Sequence, residues 1–457
     1  MISGLKPYPV YKTSGSKWIQ DVPKHWEVRN LRTLISPRNE RNRTDLPLLS
    51  VAREKGVFVR SLTDTEENHN VIPDDLSNYK VAKAGNLVIN KMKAWQGSMG
   101  ISPCDGIVSP AYFVYNFEIG SRNYGQLLLR SKPYVAHFAQ ASDGVRIGQW
   151  DLTISGMRQI PVLVPSIEEQ HAVVKFINWA NLRFHNAIRA KHKTISLLNE
   201  QKQAVIHRAV ARGLNPNTPM KSSGNPWLGD IPKNWGQQTM WTLSRLRVEK
   251  NPGGLPLLSV FLDRGVIRYE DGGGQVHAPS LDLSNYQVVH RGDFVLNNQQ
   301  AWRGSVGVSQ HNGIISPAYI VLKLSSQLDV HYANYLMRSR SMVDQFVAAS
   351  KGVGDIQRQV FWPFLRMVQV PLPKMEEQRS IVEFLDAETR EIDFAIDRFG
   401  KQISLLHEYK ARLTADVVTG KLDVREAAKN IPNEVLAEEA VPADTAEEEP
   451  ETEESAI

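Results

Sequence analysis

A single cysteine, Cys104, stands in 457 residues, which excludes an internal disulfide framework and a cysteine-based zinc site. Long apolar runs are missing, and none approaches the ~18 residues a membrane helix needs. The opening MISGLKPYPVYKTSG lacks the apolar core of a signal peptide, so a cytoplasmic protein is expected. There is no P-loop lysine motif, and Gly352-Val-Gly354 is too short to serve as a nucleotide loop. His171, His185, His192 and His207 have no companion Cys or carboxylate constellation, so solvated positions are favoured over metal ligation and no metal is expected.

Basic residues are absent from the last stretch. From Glu434 to Ile457 the chain has nine Glu, Asp444 and no Lys or Arg. The rest carries 54 basic against 39 acidic residues, the electrostatic footprint of a polyanion binder, although many soluble proteins are as basic. The acidic end cannot bury enough apolar surface to fold and is expected to be disordered.

What is present is a duplication. At an offset near 208 residues, WIQDVPKHW (18–26) matches WLGDIPKNW (227–235), and LPLLSV recurs unchanged at 46–51 and 255–260. GIVSPAY (106–112) matches GIISPAY (313–319), IPVLVPSIEEQ (160–170) matches VQVPLPKMEEQ (368–378), and KTISLLNE (193–200) matches KQISLLHE (401–408). So many ordered matches at one offset mark a tandem repeat. Short apolar runs such as GNLVIN, GIVSPAYFVYNF and GDFVLN read as strands, while YGQLLLRSKPYVAHFAQ and HYANYLMRSRSMVDQFVAA read as helices. The fold class expected is an α/β (α+β) tandem duplication with a twisted, mainly antiparallel sheet in each copy.

Each copy ends in a helical stretch, roughly 167–212 and 375–419, without proline and with only Gly400 as an interior glycine. About 43 residues of helix span about 65 Å. Ile177, Phe184, Lys191, Leu198 and Val205 repeat every seven, interleaved with Asn181, Ile188, Ile195, Lys202 and Ala209. The second stretch matches them with Leu385, Ile392, Phe399, Leu406 and Leu413, and with Thr389, Ile396, Ile403, Lys410 and Val417. Either each helix packs only on its own domain, or the two seams pair; their length favours pairing. Because the second globular domain is inserted between them, the pair is expected to be an antiparallel coiled coil in a pseudo-two-fold molecule. Ser166-Ile-Glu-Glu169 suits a capping box; Lys374 replaces the serine in the second copy, where the helix start is expected to fray. The glutamates of EEQ suit the helix dipole better than acid–base chemistry.

The duplicated domain plus helix, the junctions IPVLVPSIEEQHAVVKFI and VQVPLPKMEEQRSIVEFL, the W-x-x-D-[IV]-P-x-x-W openings and the C-terminal ISLLHEYKARLTADVVTGKLDV resemble the specificity subunit of type I restriction-modification enzymes. The likeness covers nearly the whole chain apart from the acidic end. It implies two target-recognition domains, each reading half of a bipartite site in double-stranded DNA, with helices as spacer. The domains expected are 1–165 (first recognition domain), 166–212 (spacer helix), 213–226 (linker), 227–373 (second recognition domain), 374–425 (second spacer helix) and 426–457 (acidic tail). The resemblance also implies two docked DNA methyltransferase subunits and restriction/translocase subunits. The complex would act as an adenine methyltransferase and ATP-dependent endonuclease, with S-adenosylmethionine, ATP and Mg on those partners and no cofactor on this chain. The Asn-Pro-Pro-aromatic motif of adenine methyltransferases is absent, as is a nuclease carboxylate cluster, so the chain itself is expected to be non-catalytic. The competing readings are a self-contained nuclease or methyltransferase with an unfamiliar site, and a coiled-coil scaffold that binds proteins without reading DNA.

Two segments are candidate DNA contacts. The first is NKMKAWQGSMG (90–100) and its echo NNQQAWRGSVG (297–307): Lys91, Lys93, Trp95 and Gln96 against Asn298, Gln299, Gln300, Trp302 and Arg303. Lys and Arg suit guanine and Asn and Gln suit adenine in the major groove; alternatively these are solvated strand-end residues around a structural tryptophan. The second is the glycine-bearing loop SDGVRIGQW (142–150) and SKGVGDIQRQVFW (350–362), with Arg146, Gln149, Lys351, Gln357 and Arg358, or else a tight turn before the last strand. Arg53-Glu54-Lys55 and Asp263-Arg264 are weaker candidates, and surface turns are the default there.

Overall fold

The strands of each copy are short because Gly, Pro, Asn and Asp interrupt them every few residues, and they assemble around one four-stranded sheet. The computed structural model describes residues 5–16, 19–61, 72–73, 75–144, 150–262, 264–272, 279–280, 282–353 and 357–432. In space the first sheet runs Ile35–Pro37, Tyr112–Phe117, Leu87–Asn90, Met99–Ile101, and the second runs Ser244–Leu246, Tyr319–Leu324, Asp293–Asn297, Val306–Val308. The register repeats as well: Val88 opposes Val114 and Val295 opposes Val321. Every strand pair formed by the described strands is antiparallel, but small separate sheets take the place of one continuous sheet. Side chains alternate between two cores. Leu87 and Ile89 face the main core with the helices, whereas Val88 and Val114 face a smaller one with Leu49 and Val57. Both faces of LVIN are therefore covered, which is why that strand reads as an unbroken apolar run.

The stretch 124–140, legible as one helix, is two: Arg122–Leu129 and Lys132–Gln140. Pro133 is tolerated in a first turn but not in a helix interior, so the helix restarts at Ser131. The second copy divides the same way, into Val330–Met337 and Arg340–Ala348.

The long helices run Ile167–Arg212 and Met375–Val418. Gly213 and Gly420, with φ of 75° and 76°, end them in the left-handed region that a Cβ would strain. The second helix thus stops short of the 425 expected for the spacer. Beyond it Asp423 pairs with Lys6, and Arg425–Lys429 forms a further turn of helix. Ala428 and Ile431 are buried, so the first residues assigned to the tail from 426 belong to the fold. The acidic residues 434–457 lie outside the described residues.

Two compact units take shape, and neither coincides with one copy plus its own helix. The first unit combines the chain up to Lys191 with the chain from Lys401; the second is His192–Gly400. Each unit therefore owns half of each long helix. In the first, Phe184 meets Tyr409 edge-on at 5.6 Å and Lys191 Nζ donates to Gln402 Oε1 at 2.5 Å, so one helix descends as the other ascends. In the second, Lys202 pairs with Asp393 at 2.6 Å, while Ile206 and Val210 share a core with Ile381 and Leu385. Every seam residue named above is buried or half-buried, and the polar ones at Lys191, Lys202 and Thr389 all have partners. Tyr124 and Tyr332 repeat a further tie: their hydroxyls donate to the carbonyls of Val418 and Val210, each at the end of a long helix.

Glu168 and Glu376 are exposed in the first turns of the long helices, whereas Glu169 is buried. Ser166 Oγ accepts from the Glu169 N–H at 3.3 Å, the expected half of a capping box. The Glu169 carboxylate does not complete the box, because Tyr8 Oη donates to it at 2.6 Å and His25 Nε2 lies 2.9 Å away. Burial and this carboxylate together push the Tyr8 hydroxyl pKa well up. Gln170 is clamped between the Ser121 N–H and the Pro165 carbonyl. In the second copy Gln378 accepts from Asp329 N–H and donates to Gln327 and Pro373 carbonyls. The same clamp is thus present in both copies, and the second helix, expected to fray for want of the serine cap, is helical from Met375.

Candidate nucleic-acid interface

The frame Trp-x-Gly-Ser-x-Gly folds identically in both copies, and each fixed residue has a task. Ala94–Gln96 and Ala301–Arg303 are single 3-10 turns closed by Gly97 (φ 95°) and Gly304 (φ 99°). Another residue would be strained there, and at Gly97 a Cβ would also approach Val135 to 3.1 Å. The serine carbonyls close the loops by accepting from Asn90 and Asn297 N–H at 3.0 Å. A Cβ on the final glycine, Gly100 or Gly307, would come within 3.1 Å of the backbone nitrogen of Val57 or Val266. The indole N–H of each tryptophan donates to a carbonyl three residues back, Met92 for Trp95 and Gln299 for Trp302. These are architectural roles, and they leave the intervening side chains open to change.

The end of each domain docks on this frame. Leu152 N–H donates to the Lys91 carbonyl and Val360 N–H to the Asn298 carbonyl, at 2.9 and 3.0 Å. That pairing places Trp150 and Arg358 at matching positions. In the first copy the Trp150 ring lies 5.3 Å from Trp95 at a 59° tilt. In the second the Arg358 guanidinium lies 5.7 Å from the Trp302 ring and Arg303 lies 4.7 Å from it, within cation–π range. The flanks differ too. Lys91 Nζ pairs with Asp151 at 2.8 Å, whereas the matching Asn298 is half-buried and its Oδ1 has no partner among the described residues.

The structure thus brings Trp302, Arg303 and Arg358 together, and Trp95 with Trp150. Lys93, Gln299 and Gln300 are exposed beside them and Gln96 is half-buried. Lys351 stands apart, its ammonium 4.5 Å from the Phe364 ring. Arg146 and Gln149 lie outside the described residues, as do Asp263 and the side chain of Gln357. At the weaker candidates, Arg53 pairs with Glu54, Lys55 lies over Phe58 and Arg264 over Phe261, as surface turns do. Sequence reasoning passed over Trp150 and Asp151. Aligning Leu152 with Val360 would have put Trp150 opposite Arg358. Among the described residues no group of three or more His, Cys, Asp or Glu is placed to share a metal ion, and no helix is long and apolar enough to cross a membrane.

No family model matches the chain. Among curated proteins, it is 24% identical over 284 residues to the type I restriction enzyme MjaVIII specificity subunit of Methanocaldococcus jannaschii. That match takes in 58% of this chain and 63% of the relative, less than two thirds of its length. It is 19% identical over 443 residues to the putative MjaX specificity subunit of the same organism, covering 89% of this chain and 96% of the relative. The chain is similar to type I restriction-enzyme specificity subunits. A solved chain from a type I restriction-modification system, described for its complex assembly and conformational transition, shares the fold with a TM-score of 0.61 at 16% identity. The superposition covers 88% of this chain and 99% of that one. The fold with two long helices is accordingly a shared architecture.

Proposed function

We propose that this chain is the DNA-reading subunit of a type I restriction-modification complex. Each copy reads one half of a bipartite, asymmetric site in double-stranded DNA, and the chain holds methyltransferase and restriction subunits on it. The observation that carries this reading is the pair of tryptophan frames: one backbone, two sets of side chains. Two different readers in one chain suit an asymmetric site, where a symmetric dimer would read a palindrome. Phosphate attraction comes from the basic body, and base discrimination from Lys93, Gln96, Gln299, Gln300, Arg303 and Arg358. Methyl transfer and cleavage belong to the partners.

The test is to map methylated sites made by the assembled complex, then to replace residues 227–373 with the matching segment of a related chain. One half-site should change and the other persist; a change in both, or in neither, overturns the reading. Inserting a heptad into both long helices should lengthen the gap and spare the halves.

A further inference from the structure

The second copy carries an aromatic and cationic patch whose aromatics, and all but one of its cations, the first lacks. Trp241, 51% exposed, lies 6.3 Å from Trp362, and the guanidinium groups of Arg245 and Arg366 sit 5.9 and 5.8 Å from its ring. The short helix Trp362–Leu365 also bears Phe364, 43% exposed under Lys351. Among the described residues none of these three cations makes an ion pair with a carboxylate. The matching positions of the first copy are Arg32 for Trp241, Ser36 for Arg245, Asp143 for Lys351, Ile154 for Trp362 and Gly156 for Phe364; Arg158 matches Arg366, so one cation is repeated there and no aromatic is.

We infer that this patch binds the DNA backbone flanking the half-site read by the second copy, a contact that adds affinity without reading sequence. The inference rests on the DNA-reading assignment above. Uncompensated cations on exposed rings match a polyanion whose sugars and bases offer flat faces. Continuity points the same way. The patch begins where the strand Gln357–Val360 ends, and that strand carries Arg358 to Trp302. A protein partner serving both copies alike would need the surface twice, whereas an asymmetric DNA site needs it once.

The experiment measures binding of the full chain, in complex with its methyltransferase partner, to a duplex bearing the mapped site with long flanks. A scrambled duplex and one trimmed at the second half-site serve as comparisons, each titrated with salt. Combining Arg245→Ala, Lys351→Ala and Arg366→Ala should make the salt dependence shallower by about 3 in log–log slope. Binding of the long duplex should weaken at least tenfold, binding of the trimmed one little, and the preference for site over scramble should be unchanged. Trp241→Ala with Phe364→Ala should weaken the long duplex alone, with the thermal midpoint preserved because both rings are half exposed. Equal binding of site and scramble by the unaltered chain would sink the DNA-reading assignment itself. A retained preference with an unaltered slope in the triple variant would sink only the flanking contact. Loss of a protein subunit with an unaltered slope would reassign the patch to protein docking and overturn the inference.

Discussion

In the first copy an indole from Trp150 leans on Trp95, and in the second a guanidinium from Arg358 occupies the matching place against Trp302. Beneath them the backbones agree down to the left-handed glycines and the serine carbonyls that close each loop. The comparison teaches how a duplicated domain can diverge in what it recognises without losing its fold. Residues that hold the frame are fixed by φ, close backbone approach or an internal hydrogen bond, and those between them are not. The copies diverge inside as well. Where the first joins Asn86 to Asn116 by an amide hydrogen bond of 3.1 Å, the second places Asp293 against Arg247 at 2.5 Å, the carboxylate only 3% exposed. That carboxylate raises the pKa of the Arg247 guanidinium.

The interior difference should give the largest effect. Asp293→Ala takes a buried carboxylate away from the His290 N–H and from the half-buried Arg247 guanidinium, which keeps Glu249 at 3.5 Å, and is expected to cost about 2–4 kcal/mol. Asn86→Ala, which deprives the Asn116 amide oxygen and the Lys83 N–H of a neutral partner while Asn116 keeps Ser36, is expected to cost about 1–3 kcal/mol. Denaturant unfolding measures both, and equal costs would erase this distinction between the copies.

Next in size is the exchange at the frame. Arg358→Trp, which gives the second copy the first copy's residue, should alter base preference in one half-site by about 1–3 kcal/mol. Methylation mapping reads it out, and a shift in the other half-site would break the assignment of one copy to one half.

A smaller effect is expected at Lys91. Its pair with Asp151 is half exposed, so Lys91→Ala should change stability by less than about 1 kcal/mol. If Lys91 also meets phosphate, the salt slope of DNA binding falls by about 1; an unchanged slope would leave it a structural ion pair.

The smallest effect concerns pH. Burial lowers the pKa of His137, which lies against Ser16 in the first unit, and of His207 in the second. The folded state therefore binds fewer protons than the unfolded chain. Stability should be full above the ordinary histidine value of about 6.5 and decline as pH falls through it toward the depressed folded values. Thermal midpoints recorded across that window check this, and His137→Gln should flatten the decline in the first unit only.

The duplication, the paired helices and the glycines of the frame were legible because each rests on local spacing or on a residue type with one steric use. The interface was legible only in part. Trp150 meets Trp95 across more than fifty residues of chain, and Lys91 finds Asp151 over the same span, so neither pairing leaves a local trace. Glu169 looked like a first-turn glutamate for the same reason. The partners that bury it, Tyr8 and His25, lie more than 140 residues earlier.

The division of the chain into units bears on the order of synthesis. The second unit, His192–Gly400, is one continuous segment and can close as soon as the ribosome has released it. The first unit has most of its residues made earlier, yet it waits for Leu413, Val417 and Val424 to fill its core and for Asp423 to pair with Lys6. The half of the protein translated first is therefore the half completed last.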